Sequence, residues 1–86
     1  MRYLRGKPLL NYPCRWKYTV IGADARELSH AVARAVGDTP YSLVHSRSSR
    51  SGRYVALSLS LTVQDEAQRV GVYEALRQEK CVEIVL

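Results

Sequence analysis

No stretch of this 86-residue chain is apolar for anything near the roughly 20 residues that a membrane-spanning helix needs. The opening segment, Met1 to Leu10, is basic but has neither a long apolar run nor a small-residue cleavage site. Neither a span nor a signal peptide is expected, and the cytoplasm is the default location. Cysteine occurs only at Cys14 and Cys81 and histidine only at His30 and His45, with no spacing that suits a metal. No metal and no cofactor is therefore expected. Asparagine occurs once, at Asn11. Acidic residues number 8 against 13 lysines and arginines, giving a net charge of +5 and a mild lean toward anionic partners. That surplus is below the density of committed nucleic-acid binders, and a charge that merely keeps the chain soluble is its ordinary explanation.

What the chain does have is alternation. Tyr54 to Val63 places apolar residues at 55, 57, 59, 61 and 63, with small and hydroxylated residues between. A period of two over ten residues describes a long strand with one face in a core. Trp16, Tyr18 and Val20 alternate with Lys17 and Thr19 in a first strand of aromatic and β-branched residues. Asp24, with Glu27 three residues on, opens a helix whose Leu28, Ala31, Val32, Ala35 and Val36 form one apolar stripe. Arg26, His30 and Arg34 share its wet side, and Gly37 is placed to cap its end. Tyr41 to Arg47 reads as a shorter edge strand, and Ser46 to Arg53 contains a turn. Asp65 or Gln64 caps a second helix, with Ala67, Val70, Tyr73 and Leu76 as its buried stripe and Gly71 marking close packing. The end, Cys81 to Leu86, is a last strand with Val82, Ile84 and Leu86 on the core face.

The expected elements are strands near 15–21, 41–48, 53–63 and 81–86 and helices near 24–36 and 65–79. Residues 1–11 form an arm and 12–86 one domain, large enough for a single core. Two split βαβ units with right-handed crossovers give an α+β, ferredoxin-like βαββαβ fold. Its four-stranded antiparallel sheet has the order 4-1-3-2 and carries both helices on one face. The expected core is Val20, Leu28, Val32, Leu57, Leu59, Leu61, Tyr73, Leu76 and Ile84. In this topology Cys14 and Cys81 lie at opposite ends of the sheet, about 20 Å apart at ~3.3 Å per residue. That is too far for a disulfide, so two free thiols are expected.

Several pieces taken in order resemble the YbeD family of small bacterial cytoplasmic proteins of unassigned function. They are Tyr12-Pro13, Trp16 to Gly22, Glu27-Leu28, then Ser49, Gly52 and Tyr54, then Tyr73 to Leu76, and the terminal Val82 to Leu86. The turn departs from that pattern at Ser48, Arg50 and Ser51. The resemblance implies a ferredoxin-like fold similar to ACT-type regulatory domains and no catalytic residues. A link to lipoate metabolism comes with it and has no residue of this chain behind it.

The residues bear on three function classes. Acylphosphatases share the fold, and Gly22 and Arg26 are roughly placed for such chemistry. The asparagine on a later strand that would position water is missing, so no enzyme is expected. Single-stranded nucleic acid is the alternative, because a sheet of this kind binds RNA through aromatics on its open face. Here Trp16 and Tyr18 are expected to turn inward, leaving Tyr54 at one edge. The preferred reading is a non-catalytic binding or regulatory module. Its open sheet face, with Lys17, Thr19, Ala56, Ser58, Ser60 and Val85, would meet a protein partner, with a homodimer through the sheet as one form of it. Beside that face Arg47, Arg50, Gly52, Arg53 and Tyr54 would hold a small anion or an acidic group with guanidinium forks and backbone N–H groups.

Overall fold

The computed structural model describes residues 3, 4, 7, 8, 11–48 and 52–86, with the backbone alone for the first four and for Arg47. The elements are β1 (Tyr3–Leu4), β2 (Lys7–Pro8), β3 (Cys14–Gly22), α1 (Ala25–Val36), β4 (Tyr41–Ser48), β5 (Val55–Val63), α2 (Glu66–Arg77) and β6 (Val82–Val85). β1 and β2 pair with each other in a two-stranded ladder. The other four strands form one antiparallel sheet in the order β4-β5-β3-β6, the ferredoxin-like arrangement expected from the sequence.

The long alternating run fixes the centre. β5 pairs with β3 in unbroken register from Cys14↔Val63 to Gly22↔Val55. Facing residues share a side of the sheet, so Tyr18 and Val20 meet Leu59 and Leu57 beneath the helices. Leu59, Leu61, Val63 and Val20 are completely buried, with Leu28, Val32 and Leu76 from the helices against them. α1 lies as its stripe requires, burying Leu28, Ala31, Val32 and Val36. Asp24 caps it by accepting hydrogen bonds from the amides of Arg26 and Glu27, 2.8 and 3.1 Å. Asp65 does the same for α2 through the Gln68 amide at 2.8 Å.

Three expectations fail. Ile84 is half exposed and Val85 is buried, the reverse of the expected face for the last strand. The cause is a bulge in the β3–β6 ladder. Val85 faces Val20 and Ile84 faces Ile21, but Val82, not Glu83, faces Gly22. One extra residue resets the alternation, so Val82 and Val85 both point toward the core while Ile84 turns to the open side. Gly22 permits this close fit: a Cβ there would collide with the Cys81 carbonyl oxygen and lie 2.8 Å from Leu28 Cδ2.

The second failure is the face of α2. It buries Val72 and Leu76, while Val70 is exposed and Tyr73 only partly covered. Spacing by four through Gln68, Val72 and Leu76 wins over spacing by three through Ala67, Val70 and Tyr73. The third follows from it: Gly71 faces open space and marks no close packing. Both cysteines are free thiols, as expected. Among the described residues no helix is long and apolar enough to cross a membrane.

Candidate functional site

The open face is built by the residues of β3 and β5 that alternate with the core set. Lys17 faces Ser60, Thr19 faces Ser58, and Ile21 faces Ala56. Five of the six open-face positions expected from the sequence are thus on one surface, in three adjacent rungs; the sixth, Val85, is buried on the core side. β4 extends the rungs on one side, with Val44 opposite Ser58 and Ser42 opposite Ser60. On the other side Ile84 faces Ile21, and Leu86 exchanges both backbone hydrogen bonds with Thr19, at 3.0 and 2.9 Å.

Two rows therefore cross the sheet: Ile84, Ile21 and Ala56, apolar throughout, and beside it Leu86, Thr19, Ser58 and Val44, apolar at its two ends. Their ends are strongly exposed, Leu86 at 72%, Val44 at 57% and Ile84 at 49%. The sequence reading named only the small residues in the middle of these rows. Ile21 was legible from its parity in β3. Ile84 was hidden by the bulge, which no local pattern announces. At the far end of β3 the face turns basic, with Arg15 and Lys17 both exposed.

The hairpin residues are only partly in view. Arg50 lies outside the described residues, as does the side chain of Arg47, whose backbone faces Ala56 after a second bulge at Ser46. Ser46 Oγ donates to the Ala56 carbonyl at 2.9 Å across that bulge. Gly52 has φ of 72°, the left-handed region expected of the turn glycine. Arg53 and Tyr54 are exposed and precede the first ladder residue, Val55.

Several titratable groups have structural employment. Arg69 lies over the Trp16 ring at 5.1 Å, donates to the Tyr12 hydroxyl at 2.9 Å, and pairs with Glu66 at 3.3 Å. Its pKa is raised, first by the hydrogen bond to Tyr12. Tyr18 donates to the Arg69 carbonyl at 2.6 Å, and burial pushes its phenol up against the pull of the Arg69 charge. Between the helices, Arg34 clamps Glu79 at 2.7 Å; that hydrogen bond holds the Glu79 carboxyl below its ordinary range and the Arg34 guanidinium above its own. This pair borders a groove of about 890 Å³ with Glu27, His30, Lys80 and Cys81. Burial raises the Cys81 thiol, with the Glu27 charge adding to it. His45 contacts Ser48 Oγ at 3.1 Å. Among the described residues no three histidine, cysteine or acidic side chains come together as a metal site.

With the geometry in place, comparison with known proteins identifies the relatives. A family described as a protein of unknown function, DUF493, matches residues 7–86. An uncharacterised protein of Campylobacter jejuni is 31% identical over 74 residues, covering 86% of this chain and 85% of its own. A UPF0250 protein of Neisseria meningitidis is 30% identical over 82 residues, covering 91% and 90%. The solution structure of protein HP0495 from Helicobacter pylori superposes with a TM-score of 0.81 at 24% identity, over 100% of this chain and 94% of that one, which supports the fold. These matches correct the YbeD-like label drawn from the motifs, whose short pieces follow strand and turn positions and fixed the topology better than the family. The chain belongs to the DUF493 family of proteins of unknown function.

Proposed function

We propose that this chain is a non-catalytic binding module that docks a partner protein against its open sheet face and acts as a regulator through that association. The observation that carries the reading is the apolar row Ile84, Ile21 and Ala56 with exposed Leu86 next to Ile84, and exposed Val44 at the far end of the neighbouring row. The middle of these rows is Thr19, Ala56 and Ser58, small enough to let a second surface approach closely. Exposed apolar residues that are contiguous, rather than scattered, mark interaction surfaces. The non-catalytic part is supported by the roles already filled: Asp24 and Asp65 cap helices, Glu79 and Arg34 pair, and Arg69 braces Trp16. A reducing compartment such as the cytoplasm suits the two free thiols. The nucleic-acid reading has little support from this face, since its β3 and β5 positions carry no aromatic ring.

A photo-cross-linking residue at Ser58, compared with one at Ala33 on the exposed side of α1, tests the proposal in cells. Protein adducts at 58 and not at 33 are expected; a second copy of the chain would appear as an adduct of twice the mass. Equal adducts at both positions, none at either, or adducts to RNA alone would overturn the reading.

A further inference from the structure

The two edges of β3 are used unequally. Its β5 side is paired along all nine residues, but β6 covers only the end from Val20 to Gly22, extended one rung by the Thr19–Leu86 exchange. In an antiparallel ladder every second residue directs both its N–H and its C=O to the same neighbour. Thr19 and Ile21 direct theirs to β6, so Lys17 and Arg15 direct theirs to the same side. Among the described residues no strand lies there; β1 and β2 pair only with each other. Directly beneath this bare edge is a cavity of about 250 Å³ between β3 and α2, lined by Trp16, Tyr18, Arg69, Val70, Tyr73 and Leu86 along with Lys17. An enclosed apolar cavity of about 150 Å³ already holds a benzene ring.

From this arrangement we infer that the β3 edge beside Lys17 and Arg15 takes an extended acidic–apolar–acidic segment of a partner protein, added antiparallel to β3 in line with β6. Strand addition supplies backbone hydrogen bonds for affinity and alternate side chains for specificity. The partner residue opposite Trp16 shares the helix side of the sheet, so its apolar side chain enters the cavity. The residues opposite Lys17 and Arg15 point to the open face beside two exposed cations that make no ion pair with any described residue. Carboxylates there gain charge-assisted contacts. A second copy of this edge would bring like charges together, which selects against self-pairing. The edge borders the open face and shares Lys17 and Leu86 with it, but strand addition uses the backbone of β3, so the methylation test below reads the edge alone.

The probe is the pentapeptide acetyl-Glu-Leu-Glu-Val-Thr with a C-terminal fluorophore, titrated by anisotropy against the full chain. In the inferred register the first glutamate amide donates to the Lys17 carbonyl, while the leucine amide points away from β3. N-methylation of that glutamate should weaken binding by about tenfold or more, and N-methylation of the leucine by less than about twofold. The double change Arg15→Glu with Lys17→Glu, its fold checked by circular dichroism, should reject the acidic peptide by a similar factor and accept its Lys-Leu-Lys counterpart. Absence of saturable binding, equal losses from the two methylations, or indifference to the charge exchange would overturn the inference.

Discussion

On one flank of β3 the ladder to β5 runs nine rungs without a fault; on the other, β6 makes a few rungs and a bulge, and beyond it no other strand pairs with β3 among the described residues. The regular flank holds the fold together, because its alternate rungs set Tyr18 and Val20 against Leu59 and Leu57, all buried, and the partly buried Trp16 and Cys14 against buried Leu61 and Val63. The irregular flank releases Ile84 and Leu86 to the open face and exposes the backbone of Lys17 and Arg15. Regular pairing thus builds the core, and its interruption shapes the surfaces proposed for binding.

The contrast can be broken by substitution. On the regular flank Leu59→Ala should have the largest effect, about 2–5 kcal/mol lost in denaturant unfolding, because the side chain is wholly buried between β3 and both helices. A loss below about 1 kcal/mol would remove β5 from the centre of the account. At the bulge Gly22→Ala should destabilise by about 1–3 kcal/mol, since the new methyl meets the Cys81 backbone. The same experiment separates the neighbouring pair: Val85→Ala should be clearly destabilising, while Ile84→Ala should stay within about 0.5 kcal/mol of the parent. The reverse order, with Ile84→Ala the costlier change, would mean that the last strand has the alternation first read from its sequence and no bulge.

Smaller changes sharpen the account of the helices. Gly71→Ala, in open space on α2, should stabilise by about 0.5–1 kcal/mol. Gly52→Ala should instead destabilise, because its φ of 72° is strained for any side chain. The least effect is expected for the exposed Arg34–Glu79 clamp. Its Glu79 carboxyl is depressed in the folded state, so its contribution is present above the unfolded carboxylate pKa and fades as pH falls through the lower folded value. The melting-temperature gap between the parent and Glu79→Gln should be small at neutral pH and close in acid; a gap that widens in acid would contradict this.

Sequence reading reached those parts of the molecule in which local pattern and tertiary pairing agree. The alternation of β3 and β5 placed Lys17, Thr19, Ala56, Ser58 and Ser60 on one face, and the stripe of α1 matches the residues it buries. α2 was ambiguous because its apolar residues fit spacing by three as well as by four, and only packing against β6 and α1 decides between them. β6 was legible as a strand but not in its facing: the parity of Ile84 and Val85 depends on a one-residue slip opposite Gly22. The family was reached only through whole-chain similarity, since strand and turn fragments constrain fold more tightly than descent.

The central claim is that the bulge turns Ile84 outward to complete a protein-docking row. Introducing Ile84→Glu into the chain carrying the photo-cross-linker at Ser58 tests it most directly. An unchanged melting temperature and loss of the protein adduct at 58 are expected. An adduct that persists undiminished in a folded Ile84→Glu chain would contradict it.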